Sequence, residues 1–303
     1  MKAFKQITAL LGVFLIFGLT ACSEQGSKTP AAVVQADTAK IFAASFPDLA
    51  GKLQKAFEAA TKLSLQQTPE IFQKRPAPQK ALSYACNLAC SYCYSQPETD
   101  HPQRLEMDVI RAAAEYALGK GGRVRIGDSQ ALGSFERILN VSGTRAALAG
   151  LDVEVAEFSA SRKVAIGEPF GMIDLAVDAL DADIVINLPK LKTHGMMLLT
   201  LGVKNLFGCI VGLTKPQWHM RSGVDRRMFA RLLVQIYKAV NPAATLVDGI
   251  LGMEGDGPGR SGTPRQLGIL AAGADAPAVD MAICRLVGAR PEELPTHQAA
   301  LEL

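Results

Sequence analysis

"ADIVINLP", residues 182–189, is an apolar run rich in β-branched side chains, and its reading decides the fold. A short run of this kind predicts a strand buried on both faces, as in a parallel sheet covered by helices. Working outward, residues 123–126, 153–158, 245–247 and 267–271 read as further strands. Helical spacing marks 109–118, ended by Gly119 and the glycine pair at 121–122, and 135–148, with Ser134 placed to cap it. Residues 172–180, 229–240 and 277–286 read as helices as well. Strands alternating with helices predict an α/β domain: a layered, mostly parallel sheet with flanking helices.

The polar residues fall after these strands. Gly127, Asp128 and Ser129 follow one, and "KLKTH" (Lys190, Lys192, Thr193, His194) follows another. Asp248 ends a third, with "MEGDGPGRSG" just beyond, and Asp275 and Asp280 follow a fourth. In open α/β sheets ligands bind outside the carboxyl ends of the strands. Parallel strands would therefore set Lys190, Lys192 and His194 across a crevice from Asp248, Glu254 and Asp256. Lysines and a histidine facing carboxylates suit a small anionic ligand, a metal ion, or proton transfer. Lys190, His194, Asp248 and Glu254 are the candidate catalytic groups. Asp128, Ser129, Lys192, Lys204, Asn205, His219, Asp256 and Asp280 are the candidate ligand contacts. The glycines at 255, 257 and 259 would let exposed N–H groups cradle an anion. Lys204 and Asn205 open "KNLFG", which would carry them to the same region. Trp218 and His219 read as a loop that could act as a lid. Each element also has a plain reading, since a lysine after a strand is often a solvated end and "GDGPG" is often a simple turn.

"INLPKLKTHGMMLLTLGVKNLFGCIVGLTK" and "LVDGILGMEGDGPGRSG", with "VRIGDS" and "DAPAVDMAICRLVG", resemble the bacterial and archaeal family of domain of unknown function 362 (DUF362). The resemblance covers about residues 108–303. It implies an α/β domain often coupled to ferredoxin-type iron–sulfur modules, and hence a ferredoxin-type electron partner, without implying a reaction. Two departures are visible. The family's early strand and its ferredoxin-like cysteine repeats are missing, so the core sheet could lack a strand.

"CNLACSYCY" at 86–94 stands in place of that early region and sets Cys86, Cys90 and Cys93 at spacings of four and three. Over residues 80–107 it resembles the cysteine loop of radical S-adenosylmethionine enzymes, with Tyr92 matching the aromatic residue before the third cysteine. That resemblance implies three thiolates on a [4Fe-4S] cluster whose fourth iron stays open for S-adenosylmethionine. The family's barrel needs about 200 residues of alternating strands and helices, and the resemblance here is far shorter. Radical catalysis, as in a truncated maturase, is therefore the enzymatic alternative to plain cluster binding. Zinc on the same thiolates with His101 competes with both, as do oxidised or unliganded cysteines.

Lys2 and Lys5 precede an apolar run at 7–19 that ends in "LTAC", and this resembles a bacterial lipoprotein signal with lipid carried on Cys22. A used signal would anchor the chain in the cell envelope, and an unused one would leave it cytoplasmic. The chain then divides into a signal at 1–22, a tether and helical segment at 23–79, the cysteine segment at 80–107 and the α/β domain at 108–303. The segments read as pieces joined at about residues 75–80 and 105–108. A formal net charge of +3, with no run of five like charges, argues against a nucleic-acid partner. Cys209 and Cys284 lie in apolar surroundings and read as buried packing residues. The leading reading is an iron–sulfur-associated protein of the DUF362 type. A lipid-anchored, non-enzymatic envelope protein is the remaining alternative.

Overall fold

The computed structural model describes residues 15–17, 107–119, 121–129, 134–223, 225–257 and 261–303. Cys22, the helix pattern near 36–63, the linker and the cysteines Cys86, Cys90 and Cys93 lie outside the described residues.

The central sheet is built on a long antiparallel hairpin, β9 (Ala244–Asp256) with β10 (Ser261–Gly273). The short β1 (Leu15–Phe17), from within the expected leader, pairs antiparallel with β10. On the other side β6 (Ile186–Asn187) and β7 (Lys190–His194) both run parallel to β9, and β8 (Leu198–Thr200) folds back antiparallel on β7. The sheet is thus mixed, a correction to the mostly parallel arrangement expected. Two parallel strands, β2 (Val124–Asp128) and β3 (Val153–Glu157), form a separate unit, and β4 (Ser161–Gly167) pairs antiparallel with β5 (Gly171–Ala176).

Three expectations fail locally, each for a physical reason. The run at 182–189 is a strand only at Ile186 and Asn187: Ile184 is exposed, and Pro189 has no N–H to give the ladder. Pairing resumes at once, so "KLKTH" is itself a strand rather than the loop after one. Residues 172–176 form β5 and only Val177–Leu180 turn helically. Exposed Met172 alternating with buried Ile173 and Leu175 has a period of two, which a helical spacing of apolar residues can imitate. The helix expected over 135–148 breaks at Gly143, whose φ of 76° is the left-handed geometry of a helix end.

Helices cover the sheet. β7 sends Leu191 to the face where Val247, Ala271, Val279 and Ile283 cluster, under α8 (Ala276–Leu286). Leu188 packs toward the other face, with Ile110, Val124 and Val155 of the unit formed by β2, β3 and α1 (Met107–Gly119). The longest helix, α7 (Arg226–Val240), is capped by the Asp225 carboxylate, which accepts from the Arg227 N–H at 2.8 Å. Its Phe229, Leu232, Leu233, Ile236 and Val240 recur at helical spacing and are buried in the largest core cluster.

Candidate functional site

Side chains alternate across a strand, so Lys190, Lys192 and His194 share the face of β7 opposite Leu191. All three are buried. Lys190 is in register with Asp248 on β9, and its Nζ donates to Asp248 Oδ2 at 2.6 Å. Their side chains are only 4% and 1% exposed, which makes this the most deeply buried ion pair described. Asp248 is held further by its own backbone: Oδ1 accepts from the Ile250 N–H at 3.0 Å, and its N–H donates to Pro189 O at 2.9 Å. Lys192 stands directly across from Thr200 on β8, and directly opposed residues share a face. The Thr200 hydroxyl is buried and has no hydrogen-bond partner among the described residues.

His194 ends β7 at a tight hairpin through Gly195, Met196 and Met197. Its Nδ1 accepts from the Met196 and Met197 N–H groups at 3.1 and 3.2 Å, so the neutral ring carries its proton on Nε2. Leu198 closes the hairpin at φ 60°, a left-handed conformation strained for a side chain of this size. The glycine-rich loop does approach this hairpin, but not as an open cradle. Gly257 donates to Gly255 O at 2.9 Å and to Thr193 Oγ1 at 3.2 Å, and a Cβ there would lie 2.4 Å from Thr193 O. Gly195 N–H donates back to Gly257 O at 3.2 Å. Glu254 and Asp256, expected across from the lysines, are exposed instead, and Glu254 pairs with Arg265 on the neighbouring strand.

Asp128 and Ser129 gather elsewhere, against the turn after the 3-10 segment Leu206–Cys209. Ser129 Oγ accepts from the Gly212 N–H at 2.8 Å, and the Lys215 ammonium donates to Ser129 O and lies 3.8 Å from Asp128 Oδ1. Gly208 is required there, because a Cβ would sit 2.7 Å from Asp128 Oδ1. Cys209 and Cys284 are buried free thiols, as expected. Burial, and next the charge of Asp128, push the Cys209 thiol up to about 12, so it is no nucleophile.

Asp280 and Asn205 form a third group on the α8 side of the sheet. The Asp280 carboxylate accepts from the Gly202 and Val203 N–H groups at 2.7 and 3.0 Å, capping the helical turn α5 (Gly202–Asn205). Burial pushes Asp280 up to about 7, and nearby Asp275 adds to this, while the two N–H bonds oppose it. Asn187 joins α5 to β9, donating to Gly202 O at 2.9 Å and to Thr245 Oγ1 at 3.2 Å, and Asn205 donates to Asn187 Oδ1 at 2.6 Å. Lys204 lies over the rings of Phe207 and Phe229, at 4.8 and 5.6 Å from their centroids. His219 packs 4.7 Å from the Phe229 ring. With Trp218 it belongs to the helix α6 (Thr214–Ser222), not to a loop-like lid.

The expected residues therefore fall into three neighbourhoods rather than one crevice, and segment 202–209 joins the second to the third. The sequence reading missed Lys215, Asn187 and Thr200. Asn187 had a signal, a lone amide inside an apolar run. Among the described residues, no group of three or more His, Cys, Asp or Glu side chains is placed to hold a metal ion. No described helix is long and apolar enough to cross a membrane.

The chain is 40% identical over 192 residues to the thylakoid-associated protein of Synechocystis sp., a stretch that covers 63% of this chain and 60% of that relative. The chain thus spans less than two thirds of the relative's length. No solved structure matches it. The family model described as domain of unknown function (DUF362) matches residues 93–285, beginning at the third clustered cysteine and ending inside α8. With that match running through β2, the "KLKTH" strand and the β9–β10 hairpin, the chain belongs to the DUF362 family.

Proposed function

We propose that this chain binds a small anionic ligand on the face of β7 that carries Lys190, Lys192 and His194. The observation that carries the reading is the unpartnered Thr200 hydroxyl, buried directly across from Lys192. An unmet buried hydroxyl is destabilising, and a ligand oxygen beside it would relieve that. Two ammonium groups and an imidazole N–H on one buried strand face supply donors for a phosphate or carboxylate. Asp248 fixes Lys190 in place and so sets the geometry. Binding of the anion comes first in this reading. Lys190, His194 and Asp248 would then be the groups able to move a proton on it.

The iron–sulfur part of the reading rests on the spacing of Cys86, Cys90 and Cys93, three thiolates suited to a [4Fe-4S] cluster with one open iron, at which S-adenosylmethionine is the less favoured ligand. A ferredoxin-type electron partner belongs with it. The name of the thylakoid-associated relative supports placing this chain at a membrane surface, with lipid on Cys22 as one route there.

Titration calorimetry of the full chain with inorganic phosphate and with succinate tests the binding site. Replacing Lys192→Met together with His194→Gln should weaken the preferred anion about 10-fold or more, as expected when charge-assisted hydrogen bonds are lost. Unchanged affinity in that variant would remove β7 as the site. Iron and sulfide analysis of the anaerobically reconstituted chain, beside a variant with all three cysteines changed to Ala, tests the cluster. Equal iron in both would exclude it.

A further inference from the structure

Helix α6 is polar for most of its length and packs inward through Trp218, which rests on the main core cluster. Lys215, Trp218, His219 and Ser222, at helical spacing, form its inward face, and Lys215 and Ser222 are buried. The outward face, Leu213, Gln217, Met220 and Arg221, holds two of the most exposed large apolar side chains described, Leu213 at 64% and Met220 at 70%. A helix that folds only for its own domain puts its apolar residues inward. Met220 and the cap residue Leu213 are left on one outward stripe, two turns apart. Arg221 follows Met220 directly and lies over the Trp218 ring at 5.5 Å, and the exposed Arg226 and Arg227 open the next helix. Arg226 donates to Gly195 O at 3.0 Å, a neutral carbonyl, and the Asp225 carboxylate there is occupied in capping α7. An outward apolar pair on a segment that also exposes three arginines has the chemistry of a peripheral contact with anionic lipid: side chains enter the headgroup layer while arginines meet phosphates.

We infer that the outward face of α6 and its cap residue, through Leu213 and Met220 with the exposed Arg221 and with Arg227 at the start of the next helix, is the surface by which the folded domain rests on an anionic lipid membrane. This rests on the reading that the chain works at a membrane, and it names a contact separate from any attachment through the N-terminal segment. The contact would lie next to the His194 hairpin, since Arg226 reaches Gly195.

The only tryptophan of the chain, Trp218, lies on this helix and reports on it alone. The test adds the full chain to vesicles of equimolar phosphatidylcholine and phosphatidylglycerol with brominated acyl chains, and reads sedimentation and Trp218 quenching together. Sedimentation with quenching is expected. The lipid concentration for half-maximal quenching should rise about fivefold for each of Arg221→Gln and Arg227→Gln. Leu213→Asp with Met220→Asp should abolish quenching while leaving circular dichroism and vesicle-free emission unchanged. Sedimentation with an unquenched Trp218 would overturn this surface and leave the membrane reading standing. A chain that stays in solution would overturn both. Quenching that persists in the Leu213→Asp, Met220→Asp variant would assign the contact to another face.

Discussion

Lys190 and Asp248 form an ion pair at a depth where water cannot replace either, and this sets what their loss should do. Lys190→Met takes the paired ammonium away from the buried Asp248 carboxylate, so urea melts should show about 3–5 kcal/mol of destabilisation. Changing both together, Lys190→Met with Asp248→Leu, should recover most of it, because a buried pair replaced by apolar groups of similar size is often neutral. A double variant no more stable than the single one would mean the pair is not the main interaction either residue makes. Thr200→Val separates fold from function most cleanly. It removes a hydroxyl with no hydrogen-bond partner among the described residues, so stability should hold or rise slightly, while anion affinity should fall. Asp280 predicts a pH dependence. Its folded pKa of about 7 lies above the ordinary 3.8, so the folded state holds the proton more tightly than the unfolded chain. The stability it contributes is full below about pH 4 and is lost as pH rises through about 7. Thermal melts of the parent should therefore lose ground to Asp280→Asn across that window, and parallel curves would contradict the assignment.

At the scale of elements, α7 is the best-determined piece: an Asp225 cap, a regular apolar stripe and Asn241 at φ 48° past its end. Phe229→Ala should cost about 3–5 kcal/mol, since the ring is wholly buried. It should also loosen Lys204 and His219, which rest on that ring. A loss below about 1 kcal/mol would place the ring outside the main core. This stripe was legible in the sequence because a long amphipathic period has no competing reading. The β7 region was less so. "KLKTH" carries three basic residues in alternate positions, and propensity alone reads such a stretch as a solvated turn. What makes it a strand is tertiary: a parallel neighbour in β9, and Leu191 facing a core supplied by residues some 56 to 92 positions later. Lys190, His194 and Asp248 nevertheless stood out in the sequence, because their residue types are unusual beside buried runs. Glu254 and Asp256 were misplaced because strand β9 continues past Asp248 and carries them out to solvent.

For the whole molecule, the mixed sheet divides the expected site into layers. Asp280 and Asn187 serve the α8 side, and Lys190, Lys192, Thr200 and Asp248 face the opposite one. The proposed anion site lies on the second face, with the buried lysines and the Thr200 hydroxyl. Ligand binding to the folded state alone should raise the melting temperature, and phosphate in large excess over its dissociation constant should stabilise the parent by about 3 kcal/mol at a hundredfold excess. The most direct test is a crystal of the chain soaked in selenate, an anion whose position anomalous scattering reveals. The account predicts a selenium peak within about 4 Å of Lys192 Nζ and the Thr200 hydroxyl, with the selenate oxygens at the roughly 3 Å of a charge-assisted hydrogen bond. Selenate found only at surface arginines, with the β7 face empty at saturating concentration, would contradict it.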